Sequence, residues 1–98
     1  MKSKNLLLIT SILLSTLLTS PVKAQSTSCT VLDRYDTSAN VRATPNGQLI
    51  NALRNGRSVN VERYGNDIQG RPWAYVSGWY KGEYRYWGWI IMDSLRCY

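Results

Sequence analysis

Histidine and phenylalanine are absent from this 98-residue chain, and cysteine occurs only twice. Without histidine there is no Cys–His or Ser–His nucleophilic pair and no histidine ligand for a metal. Six carboxylates are left for acid–base chemistry: Asp33, Asp36, Glu62, Asp67, Glu83 and Asp93. A glycosidase needs two of them flanking one bond. Here they are scattered, and so small a chain has little room for a deep cleft. A non-catalytic protein is expected, with no cofactor and no metal. Basic runs are also missing, so no nucleic-acid partner is expected. There are no internal repeats, and after the first 24 residues no stretch keeps a helical period beyond one turn.

The one long apolar run stands at the N-terminus. "MKSKN" is a short basic head, "LLLITSILLSTLLT" is apolar, and "SPVKA" ends in small residues at Val22 and Ala24. That three-part layout is a secretory signal peptide over residues 1–24, cut between Ala24 and Gln25. The alternative is an uncleaved anchor, although a spanning helix needs about 20 apolar residues. Export leads to a secreted, periplasmic or envelope location, with no membrane span after cleavage. The formal net charge is +6, but Lys2, Lys4 and Lys23 leave with the signal. What remains is nine basic against six acidic side chains, spread along the sequence. Such a mild excess suits anionic wall polymers and plain solubility alike.

Residues 25–28 read as a polar tether, and residues 29–98 as one small domain. Its apolar runs are short, often alternating, and separated by turn residues. "CTVLDRY", "NVRA", "QLINAL", "SVNVERY", "PWAYVSGWY" and "YRYWGWII" are strand candidates; "TPNG", "RNGR" and Lys81-Gly82 supply turns. In "SVNVERY", Val59 and Val61 share one face, with Asn60 and Glu62 on the other. "MDSL" suggests a single helical turn. A small antiparallel barrel or sandwich follows.

Cys29 and Cys97 lie 68 positions apart, and two cysteines allow one intramolecular pairing. If bridged, they bring both ends of the domain together and stabilise it by about 4 kcal/mol in the chain-entropy model. Unbridged or intermolecular thiols are the alternative.

Aromatics are concentrated in "SGWYKGEYRYWGWI", Ser77 to Ile90, with three of the four tryptophans and three tyrosines. A hairpin turning at Lys81-Gly82 places Tyr80 opposite Glu83, Trp79 opposite Tyr84, Ser77 opposite Tyr86 and Val76 opposite Trp87. One face then carries Tyr75, Trp79, Tyr84 and Tyr86; the other carries Val76, Tyr80, Arg85, Trp87 and Trp89. A β-bulge would change that assignment. One set is core and the other at least half exposed. Trp73, Val76, Trp89 and Ile90 are expected inside, whereas Trp79, Tyr80 and Tyr84 near the tip are expected outside. The candidate ligand-binding residues are Trp79, Tyr80, Tyr84, Arg85 and Tyr86.

In order and spacing, "ANVRATPNG", "LINALRNGRSVNV", "WAYV", "GWI" and a closing leucine resemble the bacterial SH3 (SH3b, SH3 type 3) domain. The matching positions are Asn40, Val41, Arg42, Pro45, Leu49, Ile50, Gly56, Val59, Val61, Trp73, Val76, Gly88, Trp89, Ile90 and Leu95. Ala43-Thr44 departs from that pattern, and the segment from Val76 to Gly88 is longer than the family's short hairpin. The resemblance implies a small SH3-like antiparallel β-barrel of about five or six short strands with adjacent termini. It also implies a non-catalytic module of exported proteins that binds peptidoglycan, another cell-wall glycan or a peptide. The alternative is a protein-interaction module, an adaptor or inhibitor of an exported enzyme. A monomer is expected, with Arg42 structural beside its turn.

Overall fold

The computed structural model describes residues 27–98. The proposed signal peptide and its cleavage site lie outside the described residues. Within them the chain is all-β: β1 (Thr27–Val31), β2 (Ser38–Arg42), β3 (Leu49–Arg54), β4 (Ser58–Asn66), β5 (Pro72–Tyr80), β6 (Glu83–Ile91) and β7 (Leu95–Cys97). A 3₁₀ turn over Met92–Ser94 joins the last two. None of the described residues forms a helix long and apolar enough to cross a membrane. The strands make one antiparallel sheet in the order β3-β2-β6-β5-β4-β1-β7, curled into a half-barrel.

The expected count of five or six strands is therefore corrected to seven. The added strand, β7, spans three residues, too few for an alternating pattern to show. The tether is corrected as well: Thr27 and Ser28 already pair with Val61 and Asn60 as the start of β1.

Cys29 and Cys97 sit directly opposite each other in the β1–β7 ladder and are joined by a disulfide. The bridge ties the two ends of the domain across neighbouring strands, as the sequence separation implied. It stands beside a core built of small aliphatic residues. Val31, Ala39, Val41, Ala74, Val76 and Ile90 are fully buried, joined by Leu53, Val59, Val61 and Leu95. Each fully buried valine or isoleucine contributes about 1.5–3 kcal/mol by leaving water. With so few of them, a cross-link of about 4 kcal/mol is a large share of what holds the fold together.

Turn chemistry sets the connections. Lys81 and Gly82 both have positive φ, 52° and 81°, as a two-residue type I′ hairpin requires. Thr44–Gly47 closes with a Gly47 N–H to Thr44 C=O bond of 2.8 Å; Pro45 occupies its second position and Asn46, at φ 57°, its third. Arg42 donates to Gly47 C=O at 2.8 Å and so braces this turn. "RNGR" does turn the chain at Asn55-Gly56, but β3 and β4 are not neighbours in the sheet. The Asn55 side chain instead accepts from Asp33 N–H at 2.8 Å and donates to Asp36 C=O at 2.8 Å, anchoring the β1–β2 loop.

Between β4 and β5, one buried carboxylate organises a whole turn. Asp67 accepts from the backbone N–H of Gln69 and Arg71, the Arg71 guanidinium and the Trp73 indole N–H, at 2.8–2.9 Å. Burial alone would push its carboxyl up, but the Trp73 and Arg71 bonds, with that of Gln69, outweigh it and hold the pKa down at about 2. The same indole bond satisfies the polar atom of Trp73, which is itself buried.

Candidate functional site

The tip of the β5–β6 hairpin follows the expected register: Tyr80 pairs with Glu83, Trp79 with Tyr84 and Ser77 with Tyr86. Beyond Ser77 it does not. Val76 pairs with Gly88, not with Trp87, and Tyr75 pairs with Trp89. Trp87 is the extra residue of a β-bulge. A one-residue slip moves every later side chain to the opposite face, which corrects the grouping of Trp89 with Val76 and Trp87. Trp89 stands outside with Tyr75, at 5.6 Å between ring centroids. The expectation that Trp89 belongs to the core is corrected with it; the ring is half-buried. Trp73, Val76 and Ile90 are buried as expected.

A second bulge lies across the next ladder. Asn60 pairs with Ser77 and Val61 with Val76, then Arg63 with Tyr75, leaving Glu62 as the extra residue. The two bulges flank the same point of β5. Together they put Glu62 and Arg63 on the side that carries the outer rings.

That outer face carries two groups of rings. Trp79, Tyr84 and Tyr86 meet edge to face, with centroids 5.2 and 5.4 Å apart. Trp79 is 67% exposed and Tyr86 62%; Tyr84, between them, is half-buried. Its hydroxyl lies 2.8 Å from Ser77 Oγ and accepts from Asn60 Nδ2 at 3.1 Å. Ser77 Oγ in turn donates to the Glu62 carboxylate. Ser77 is completely buried, so the network answers its polar atom and fixes the central ring at once. Further along, the Arg63 guanidinium lies 4.3 Å from the Tyr75 centroid and 5.4 Å from that of Trp89. Gly65 leaves room for the Trp89 ring, since a Cβ there would come within 3.0 Å of it. On the other side of Trp79 is a recess of about 240 Å³ towards the disulfide-linked strands, where Ser28, Thr30, Ser58, Asn60 and Tyr98 present hydroxyl and amide groups. No charged side chain lines it.

The inner face of the same hairpin differs. Tyr80 and Arg85, proposed together with Trp79, Tyr84 and Tyr86, lie here with Trp87 and Arg57. The five candidate residues are therefore divided, three outside and two at the inner mouth. Trp87 packs against the core cluster over Gly78, where a Cβ would come 2.9 Å from its ring. Tyr80 and Tyr84 are each half-buried rather than fully outside.

Tyr75, Trp89 and Arg63 on the outer face, and Arg57 and Trp87 on the inner, were not among the candidates. Their placement depends on the two bulges and on strand order, which leave no local pattern. Among the described residues, no three acidic or cysteine side chains group as a metal site would require. Besides Asp67 and Glu62, three more carboxylates have separate partners: Asp33 accepts from Ser94 Oγ at 2.6 Å, Asp36 from Thr37 N–H at 2.7 Å, and Glu83 pairs with Arg85 at 3.0 Å.

The chain matches no family model, no curated protein and no solved structure.

Proposed function

We propose that the protein is a non-catalytic, exported SH3b-like module that binds cell-wall glycan, peptidoglycan foremost, through the outer face of β4, β5 and β6. The observation carrying this reading is Trp79: a mostly exposed indole standing between a group of rings and a recess lined by hydroxyl and amide side chains. Sugar rings offer apolar C–H faces and equatorial hydroxyls. Flat aromatic faces take the first, and Ser, Thr, Asn and Tyr groups take the second. Because Tyr84 is held by Ser77 and Asn60, the group is ordered before any ligand arrives, which lowers the entropy cost of binding. The SH3b resemblance points to the same ligand class, and the disulfide suits an oxidising compartment.

Co-sedimentation with purified, insoluble peptidoglycan tests it. The expected result is retention in the pellet and release by soluble wall fragments. If the protein stays in the supernatant, and a defined exported protein is captured through Trp79 instead, the module recognises protein and the glycan reading fails.

A further inference from the structure

Arg54, Arg57, Lys81 and Arg85 are dispersed in sequence, but the fold brings them to one place. The β3–β4 turn and the β5–β6 tip meet at the inner mouth of the half-barrel, where a recess of about 320 Å³ is lined by Arg54, Arg57, Tyr80, Arg85 and Trp87 together with β3. That volume falls at the lower end of small-molecule sites, roughly 300–1,000 Å³. Three cations surround a single phenol ring: Arg57 at 4.8 Å, Lys81 at 5.3 Å and Arg85 at 5.3 Å from the Tyr80 centroid. Arg57 is also 5.6 Å from the Trp87 centroid, so its side chain is held between two rings. Its Nε is buried and has no hydrogen-bond partner. Against these four cations stands one carboxylate, Glu83, which pairs with Arg85 from an exposed position.

Cation–π contacts hold the guanidiniums in place but neutralise none of their charge. Like charges gathered round one ring repel, and a buried donor without an acceptor is costly. An oxyanion in the recess offsets that repulsion, and guanidinium groups fit carboxylate and phosphate oxygens in a planar, two-point geometry. We infer that this inner recess is a second binding site, for an oxyanion carried on a body about the size of one sugar ring. Arg57 and Arg85 supply the donors, with Tyr80 and Trp87 as the walls. The site is separate from the outer face and does not depend on the glycan reading of that face.

Two-dimensional NMR of the purified protein, following the Arg57 Nε–H and the Trp87 indole N–H, tests the inference by titration with glucuronate, glucose 6-phosphate, inorganic phosphate and glucose. Both signals are expected to move with at least one of the sugar acids and to stay put with glucose. Response to glucuronate alone identifies a carboxylate ligand, and to glucose 6-phosphate alone a phosphate. Arg57→Gln and, because Arg57 also packs on two rings, the exposed-site variants Arg85→Gln and Lys81→Gln provide the controls. Arg85→Gln is expected to weaken the sugar acid about tenfold or more, as loss of a charged hydrogen bond does, while Trp79→Ala leaves it unchanged. Equal responses to inorganic phosphate and the sugar acids overturn the ring-sized ligand. No movement of either signal at millimolar acid, an equal response to glucose, or unchanged affinity in Arg85→Gln overturns the site.

Discussion

Away from its tip, where Tyr80 and Trp87 line the inner mouth, the β5–β6 ribbon has two faces that follow opposite rules. Inside, Ala74, Val76 and Ile90 are fully buried, small and aliphatic. Outside, on the same strands, Tyr75, Trp79, Tyr84, Tyr86 and Trp89 form a stripe of large rings that are exposed or half-buried. Alternation alone assigns one set of these aromatics to the core. The contrast shows that the core is filled mainly by valines and other aliphatics, with Trp73 buried and Trp87 half-buried against them. On the proposed function, losing the two most exposed of these rings, Trp79 and Tyr86, should cost binding before it costs stability.

The sharpest way to break the inner side is Gly88, where β6 crosses β2. Its φ is +137°, and a Cβ would lie 2.7 Å from Val41 Cγ1 and 2.9 Å from Arg42 C=O. Gly88→Ala combines backbone strain with overpacking, each about 1–3 kcal/mol. The expected loss is about 4 kcal/mol in urea denaturation, enough to leave the domain largely unfolded. Cutting the disulfide with Cys97→Ser is expected to cost a similar amount, about 4 kcal/mol, and only under oxidising conditions. Equal melting of the wild type with and without reductant would contradict it.

Ile90→Ala and Trp89→Ala compare the faces directly at adjacent positions. The first removes a fully buried side chain and should cost about 3 kcal/mol. The second takes away a half-buried outer ring and should cost about 2 kcal/mol, less than the 3–5 kcal/mol typical of a buried indole. If the order reverses, the outer stripe is a structural element. A smaller effect comes from pH. Because the Asp67 carboxyl is held near 2, below its ordinary 3.8, its contribution to stability is complete above about pH 4. It fades as the pH falls towards 2. Asp67→Asn should flatten the unfolding curve in that window, and an unchanged slope would show that another group is responsible.

How much of this contrast could be read in advance depends on the strand. The strand candidates all appear, because alternation and turn residues are local signals; Val59 and Val61 point inward as their spacing implied. The hairpin tip was legible for the same reason, since Lys81-Gly82 fixes the register around it. What was hidden is the result of two extra residues, Glu62 and Trp87, each shifting one ladder by a single place. A bulge has no composition of its own, so the outward turn of Trp89 and the meeting of Arg63 with Tyr75 could not be counted out from the turn. The convergence of Arg54, Arg57, Lys81 and Arg85 was hidden for another reason: it depends on which loops share one end of a curled sheet. Leu49 and Ile50 carried the resemblance as an apolar pair, yet both are about half exposed on the edge strand β3. There β2 covers one side only.

The proposed function requires that Trp79 and Tyr86 bind without supporting the fold. The most direct measurement is peptidoglycan retention of a Trp79→Ala, Tyr86→Ala double variant, set beside its unfolding free energy. Loss of retention with stability within about 0.5 kcal/mol of the wild type, as for surface changes generally, is the predicted result. Undiminished retention, or loss only together with unfolding, contradicts it.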